Sequence, residues 1–175
     1  GIDFEKIKQN IKYLKLPKKR FELRGELNAR KIYDDYAHHP NEIKATINLA
    51  RLFISKNNVN NKNQESRLIV IFQPHRYSRV KQFISEFAEE LSKADIIYLT
   101  NIFGAGEINK DKISSKIIAN LIYIKNKNVR YFNNNYEISK NFYQLTKKGD
   151  LILNMGAGDC HNLWSILNNK NDNNT

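Results

Sequence analysis

Apolar residues at Phe4, Ile7, Ile11 and Leu14 recur at helical spacing, with Asp3 placed to cap the first turn and Pro17 beyond the last. The chain is therefore expected to open on a short amphipathic helix from Asp3 to Leu14. Two strand-like runs follow, Arg20 to Leu23 and Lys31 to Asp34, separated by the turn formers Gly25 and Asn28; they either pair as a hairpin or mark a domain junction. After Pro40 the pattern becomes regular. Helical periodicity over about Asn41 to Ser55 leads through a polar loop, Asn57 to Ser66, to the apolar run Leu68-Ile69-Val70-Ile71-Phe72. A helix over about Val80 to Ser92 then leads to Ile96-Ile97-Tyr98-Leu99, and one over about Lys112 to Ile122 leads to Val129-Arg130-Tyr131-Phe132. The last pair is a helix over about Tyr136 to Thr146 and the run Leu151-Ile152-Leu153-Asn154-Met155, with a final helix after Gly158.

Apolar runs that alternate with helices in this way predict a mostly parallel sheet buried on both faces. The expected fold is α/β, a Rossmann-like doubly wound sheet with helices on both faces, over about residues 31 to 169. The polar tail Asn168 to Thr175 is expected to fray, and no internal repeat is present. In such a sheet ligands lie outside the carboxyl ends of the strands, so the residues directly after each apolar run carry the functional question.

A length of 175 residues allows one ordinary α/β domain with a core of its own. The single cysteine, Cys160, excludes an internal disulfide, and no apolar run reaches the roughly 18 residues that span a bilayer. A cytoplasmic, soluble protein without a membrane partner is expected. The start Gly1-Ile2-Asp3-Phe4-Glu5 has neither an initiator Met nor a signal-peptide layout and reads as an internal cut. A formal charge of +11 raises the possibility of a nucleic-acid partner. The lysines are scattered among Asn and Ile along the chain, however, and only a patch makes a binding site, so none is expected.

Three strand-end segments carry candidate chemistry. Tyr33-Asp34-Asp35-Tyr36-Ala37-His38-His39-Pro40 crowds carboxylates, imidazoles and phenols into one turn, and Pro40 suits the first position of the next helix. A carboxylate there can accept from sugar hydroxyls and an imidazole can hold an anion or carry a proton; equally, Asp34 or Asp35 caps the turn and the histidines are solvated. A metal site is disfavoured because adjacent residues point in different directions and no spaced Cys or His completes a set. In Phe72-Gln73-Pro74-His75-Arg76-Tyr77-Ser78-Arg79, the arginines at 76 and 79 share a face once a helix has begun, a fork-rich arrangement suited to a carboxylate or phosphate, which is favoured over a plain surface pair beside an ordinary strand end. In Met155-Gly156-Ala157-Gly158-Asp159 the glycines admit a ligand close to the backbone, or simply make a tight turn. Phe103-Gly104-Ala105-Gly106-Glu107 reads as a turn with Glu107 solvated. No GxxxxGK[ST] phosphate loop and no Gly-x-Ser-x-Gly elbow occurs, and Cys160 has no clear nucleophilic role.

In order along the chain, Asp34-Asp35-Tyr36-Ala37-His38-His39-Pro40-Asn41-Glu42-Ile43, Gln73-Pro74-His75-Arg76-Tyr77-Ser78-Arg79, Ala105-Gly106-Glu107 and Gly156-Ala157-Gly158-Asp159 closely resemble the alanine-adding Mur ligases. The first motif is shared with the related ligase that recycles cell-wall tripeptide; the second favours the alanine adder. The resemblance implies the C-terminal domain of a three-domain, ATP-dependent enzyme of peptidoglycan synthesis that joins L-alanine to UDP-N-acetylmuramate through an acyl phosphate, with Mg2+ on the phosphates. Residues 1–27 would be the tail end of the central ATPase domain and residues 28–175 the ligase domain, with the N-terminal and central domains of the same chain as partners. The stretch Lys18-Lys19-Arg20-Phe21-Glu22 resembles the family's junction, although Lys19 stands where the family often has a second arginine. The resemblance implies ATP binding by Arg20 and Asp35, and substrate binding by Tyr36, His38, His75, Arg76, Arg79 and Ala157. Of these, His38, His75 and Arg76 would serve catalysis, and no residue of this chain would bind metal. A nucleic-acid-binding α/β module and a non-catalytic scaffold remain the competing classes.

Overall fold

The computed structural model describes residues 3–11, 18–60 and 66–172. Its elements are α1 (Phe4–Ile11), β1 (Glu22–Glu26), β2 (Lys31–Asp35), α2 (Pro40–Asn60), β3 (Leu68–Phe72), α3 (Tyr77–Gln82), α4 (Ile84–Leu91), β4 (Ile96–Leu99), α5 (Ser115–Lys125), β5 (Val129–Tyr131), α6 (Asn135–Lys140), α7 (Phe142–Leu145), β6 (Leu151–Met155) and α8 (Asn162–Asp172), the last entered through a 3-10 turn, Asp159–His161. The expected continuation of the first helix to Leu14, Pro17 and residues 61–65 and 173–175 lie outside the described residues.

One six-stranded sheet has the order β1-β2-β6-β3-β4-β5, parallel throughout except for β1, which runs antiparallel to β2 at the edge. The expected doubly wound sheet is therefore present, and the first strand pair forms a hairpin. Strands β3 and β6 are buried at every position, as central parallel strands covered on both faces must be. The pleat divides their side chains between two cores. Leu68, Val70, Phe72, Leu151, Leu153 and Met155 face the layer of α2, α4 and α5, whereas Ile69, Ile71 and Ile152 pack with Ile138, Phe142, Leu163 and Leu167 of the opposite layer.

Several boundaries differ from the sequence reading. Helix α2 runs on to Asn60, into the stretch expected as loop, and α8 runs to Asp172 where fraying was expected from Asn168. The helix expected over Val80–Ser92 begins at Tyr77 and breaks at Phe83 (φ −119°, ψ 27°). The one expected over Tyr136–Thr146 breaks at Asn141 (φ −107°, ψ 12°). Neither break has a Gly or Pro to mark it, so periodicity alone runs straight through.

Gly25, expected in the turn, lies instead within β1 beside a bulge, its Cα face covered by the Trp164 indole of α8. A Cβ built there would sit 2.2 Å from Trp164 Cη2, so the ring has to move. Gly25→Ala is expected to cost about 1–3 kcal/mol, the range for overpacking a filled site. Urea unfolding of the two chains measures it; an unchanged midpoint would show that the indole shifts freely.

Candidate active site

The carboxyl ends of β2, β6 and β3 bring the three expected segments together. The Gly156 amide donates to the Asp35 carbonyl at 3.1 Å and the Gln73 amide donates to the Met155 carbonyl at 3.0 Å, so the glycine loop is held between the other two. Gly156 has φ 148°, and an added Cβ would stand 2.8 Å from the Gln73 carbonyl oxygen. A side chain there is excluded on both counts. Ala157, half-buried, follows it at the mouth of the site.

Adjacent strand residues point to opposite faces, and this separates two carboxylates that sequence alone treats alike. Asp35 turns toward α2. Its Oδ2 accepts from the Phe21 amide at 2.8 Å, and its Oδ1 accepts from the Ala37 amide at 2.7 Å and from Thr46 Oγ1 at 3.2 Å. The carboxylate expected to face a ribose is thus engaged by the protein's own donors. Asp34 turns the other way and has no exposed surface; its Oδ1 accepts from Asn154 Nδ2 at 2.8 Å, so neither capping the turn nor taking a sugar hydroxyl is open to it.

Helix α2 begins at Pro40 and is anchored by Glu42, whose Oε2 accepts from the amides of His38 at 3.0 Å and His39 at 3.2 Å. This is the backward half of a capping box. Burial pushes the Glu42 carboxyl up, but those two amides and the charges of His38 and Arg20 outweigh it and leave it below its ordinary range. Arg20 Nη1 lies 3.9 Å from Glu42 Oε1 and its guanidinium 5.8 Å from the centroid of the Tyr36 ring, which brings the expected nucleotide arginine to the same rim. The Tyr36 amide also donates to the Lys19 carbonyl at 2.7 Å, so the segment before β1 is tied to the end of β2.

The imidazoles of His38 and His75 face each other edge to face, centroids 5.7 Å apart. His38 Nδ1 lies 2.8 Å from the Tyr36 carbonyl and 3.3 Å from Glu42 Oε2, both acceptors, so this nitrogen carries the proton and donates. In the neutral ring the lone pair is then on Nε2. His75 Nδ1 lies 3.2 Å from Arg79 Nη1; a guanidinium only donates, so here Nδ1 accepts. Burial, then Arg79, His38 and Arg76, hold the His75 imidazole below its ordinary pKa, which keeps it neutral at neutral pH. Its ring stacks on Phe103, centroids 5.6 Å apart and planes 11° from parallel.

Arg76 has φ 69°, rare for a residue with a side chain, held by its amide donating to the Phe103 carbonyl at 2.8 Å. That backbone points the side chain out, about half exposed, with Glu107 Oε1 4.0 Å away. Glu107 is not merely solvated as expected. It accepts from the Ser78 amide at 3.0 Å and from Ser78 Oγ at 2.6 Å, pinning the first turn of α3 and with it Arg76 and Arg79. Those Ser78 hydrogen bonds, helped by Arg76, hold its carboxyl below the usual range. The spacing of Ala105-Gly106-Glu107 from Ser78 carried no local signal of this pairing, because it depends on how β4 lies beside β3.

Burial raises the Cys160 thiol to about 12, followed in effect by Asp34 and Asp159, so it stays protonated and is no nucleophile. What converges is a cationic basin. Arg20, Arg76 and Arg79 surround two imidazoles and the Tyr36 phenol at one end of the sheet, suited to hold an anionic group while a neighbouring atom loses a proton.

The family model "Mur ligase, glutamate ligase domain" matches residues 19–158. The chain is 68% identical over 171 residues to a UDP-N-acetylmuramate–L-alanine ligase of Prochlorococcus marinus subsp. pastoris, covering 98% of this chain and 36% of that protein. In fold it resembles a UDP-N-acetylmuramate–alanine ligase from Thermotoga maritima (TM-score 0.67, 22% identity, 90% of this chain, 30% of that one). It resembles to nearly the same degree a murein peptide ligase from Psychrobacter arcticus (TM-score 0.64, 23% identity, 87% and 30%). The chain thus spans about a third of its relatives' length, and the family-model match together with the 68% identity places it in the Mur ligase family.

Proposed function

We propose that the full-length protein is a cytoplasmic, ATP-dependent ligase that joins L-alanine to UDP-N-acetylmuramate in peptidoglycan synthesis. This chain is its C-terminal domain, with residues 1–27 closing out the central ATPase domain, 28–175 forming the ligase domain, and the β1–β2 hairpin as the joint. The observation that carries the reading is the basin in which Arg76 and Arg79 stand beside a neutral His75 and opposite His38. The 68% identity to an alanine-adding ligase supports alanine over a tripeptide as the group added. Among the described residues no helix is long and apolar enough to cross a membrane, and neither a membrane nor a nucleic-acid partner is part of the proposal.

In the proposed reaction a muramoyl carboxylate oxygen attacks the γ-phosphorus of ATP, giving an acyl phosphate and ADP. The alanine amine then adds to the acyl carbon, and the tetrahedral adduct expels phosphate. Arg76 and Arg79 hold the alanine carboxylate as a guanidinium fork, and Tyr36 and Ala157 wall the small side chain. His38 Nε2, with its lone pair free, takes a proton from the alanine ammonium. Arg76 offsets oxygen charge that develops on the adduct, and the neutral His75, whose Nδ1 accepts from Arg79, donates to that oxygen from Nε2–H. Arg20 reaches the nucleotide, while Asp35 serves it indirectly by fixing the Lys19–Phe21 segment. No residue of this domain is proposed to hold Mg2+, which would offset phosphate charge on the ATP held by the rest of the full-length enzyme.

Arg76→Ala and Arg79→Ala in the full-length enzyme are expected to raise the alanine KM roughly tenfold to a hundredfold, the effect of losing about 1.5–3 kcal/mol of charge-assisted hydrogen bonding. The ATP KM should move far less. Steady-state phosphate release under varied alanine and varied ATP separates the two; unchanged alanine saturation in both variants removes these arginines from the pocket.

A further inference from the structure

A second polar cluster lies on the opposite face of the sheet end from Asp35, behind the glycine loop. Asp34 and Asn154 are register partners on β2 and β6, and Asn154 Nδ2 donates both to Asp34 Oδ1 at 2.8 Å and to the Cys160 carbonyl at 3.0 Å. Asn135 Nδ2 donates to that same carbonyl at 2.9 Å, and the Cys160 amide donates to Gln73 Oε1 at 3.0 Å. The 3-10 turn Asp159–His161 is therefore suspended from the ends of β2, β3 and β6. Within this tied turn, hydrogen bonding stops short. Asp34 Oδ2, both ring nitrogens of His161, and the Oδ1 atoms of Asn135 and Asn154 are buried without a hydrogen-bond partner among the described residues.

A carboxylate with no exposed surface cannot be left beside neutral neighbours without a large desolvation cost. The groups facing its open oxygen are Arg24 Nε at 3.7 Å, from β1, and His161 Nδ1 at 3.6 Å, from the turn. The Cys160 thiol stays neutral and offers no charge. A displacement that brought His161 Nδ1 from 3.6 Å to hydrogen-bond length, about 2.9 Å, would satisfy an orphaned atom on each partner at once. The two ends of that contact belong to the two walls of the site. Asp34 is separated from Tyr36 only by Asp35, and His161 closes the turn that begins after Gly158. The Tyr36 ring also lies nearly parallel to the His161 ring, planes 10° apart and centroids separated by 6.4 Å.

We propose that His161 is a positioning residue for the amino-acid pocket: joined to Asp34 across the sheet end, it fixes the spacing between Tyr36 and the Gly156-Ala157-Gly158 loop. This rests on the reading that Tyr36 and Ala157 wall the alanine. It gives a role to a histidine outside the strand-end motifs and to the buried member of the Asp34-Asp35 pair.

The test uses the full-length enzyme carrying His161→Ala, His161→Gln or Asp34→Asn. His161→Ala is expected to raise the alanine KM about tenfold while the KM for ATP and for UDP-N-acetylmuramate stays within about twofold. His161→Gln, which keeps a donor toward Asp34, recovers most of that loss and is also the variant to use if the alanine substitution fails to fold. Hydrogen exchange should quicken at the amides of Tyr36, Ala37, Ala157 and Gly158 in His161→Ala and remain unchanged in β4. A rise common to all three KM values means a merely structural role and overturns the proposal, as does an unchanged alanine KM. If the unmodified enzyme shows no alanine-dependent turnover, the proposed reaction fails instead. The clamp is then decided by exchange alone, and unaltered rates at those four amides would refute it.

Discussion

Asp35→Asn is expected to lower the melting temperature of the chain by roughly 5–15 °C and, in the full-length enzyme, to raise the KM for ATP. The carboxylate accepts from Phe21, Ala37 and Thr46. An asparagine can keep only one oxygen. If that oxygen serves Ala37 and Thr46, the new amide group confronts the Phe21 N–H, donor against donor. The loss combines a charge-assisted hydrogen bond with an unsatisfied N–H, about 2–4 kcal/mol in all. At roughly 2–4 °C per kcal/mol for a domain of this size, that gives the stated shift. Phe21 and Lys19 hold positive φ, 45° and 60°, so the segment bearing Arg20 has a strained backbone with little reason to keep its path once released. Thermal melts of the chain and ATP saturation of the enzyme check the two halves. An asparagine variant with wild-type stability and impaired ATP use would return this carboxylate to direct contact with the ribose.

The same residue shows what the sequence makes legible and what it does not. The alternation of apolar runs with helical stretches specified the parallel sheet, because a strand buried on both faces must be apolar at every position, as Leu68–Phe72 and Leu151–Met155 are. The strand-end rule likewise picked out the Tyr36–His39, His75–Arg79 and Gly156–Gly158 segments, which the structure brings to one end of the sheet. Sequence could not say which way each side chain of a pair points. Asp34 and Asp35 are chemically the same group, and only the pleat sends one toward the Asp159–His161 turn and the other toward α2. Nor could it show Glu107 reaching Ser78 or His161 reaching Asp34, since both contacts join segments distant along the chain through the lateral order of strands. The breaks at Phe83 and Asn141 were hidden for a related reason: the residues are ordinary helix neighbours, and tertiary packing sets the turn.

Produced alone, the chain is expected to melt cooperatively yet release no phosphate when given UDP-N-acetylmuramate, alanine, ATP and magnesium. Folding should not need the rest of the protein. The sheet carries a core on each face, and its amino end is closed by ties such as the bidentate Arg67–Asp150 pair, at 2.9 and 2.7 Å, and Arg30 donating to Thr146 Oγ1 at 2.7 Å. Catalysis is another matter, because on the proposed reading the basin is one wall of a cleft. Arg76 is half exposed, Tyr36 is 37% exposed, and the sequence has no phosphate loop to present the γ-phosphate to a bound muramoyl carboxylate. Rate enhancement in an acyl-phosphate ligase comes largely from holding three reactants in line and from charge placed where oxygen develops it. If the basin is the amino-acid side of that arrangement, as proposed, the chain alone lets effective concentration fall to that of free solution. A coupled phosphate assay beside a thermal melt on the same preparation measures both claims. Alanine-dependent phosphate release by a cooperatively folded chain would overturn the assignment, since it would require within these 175 residues a triphosphate site that neither the sequence motifs nor the strand-end geometry provides.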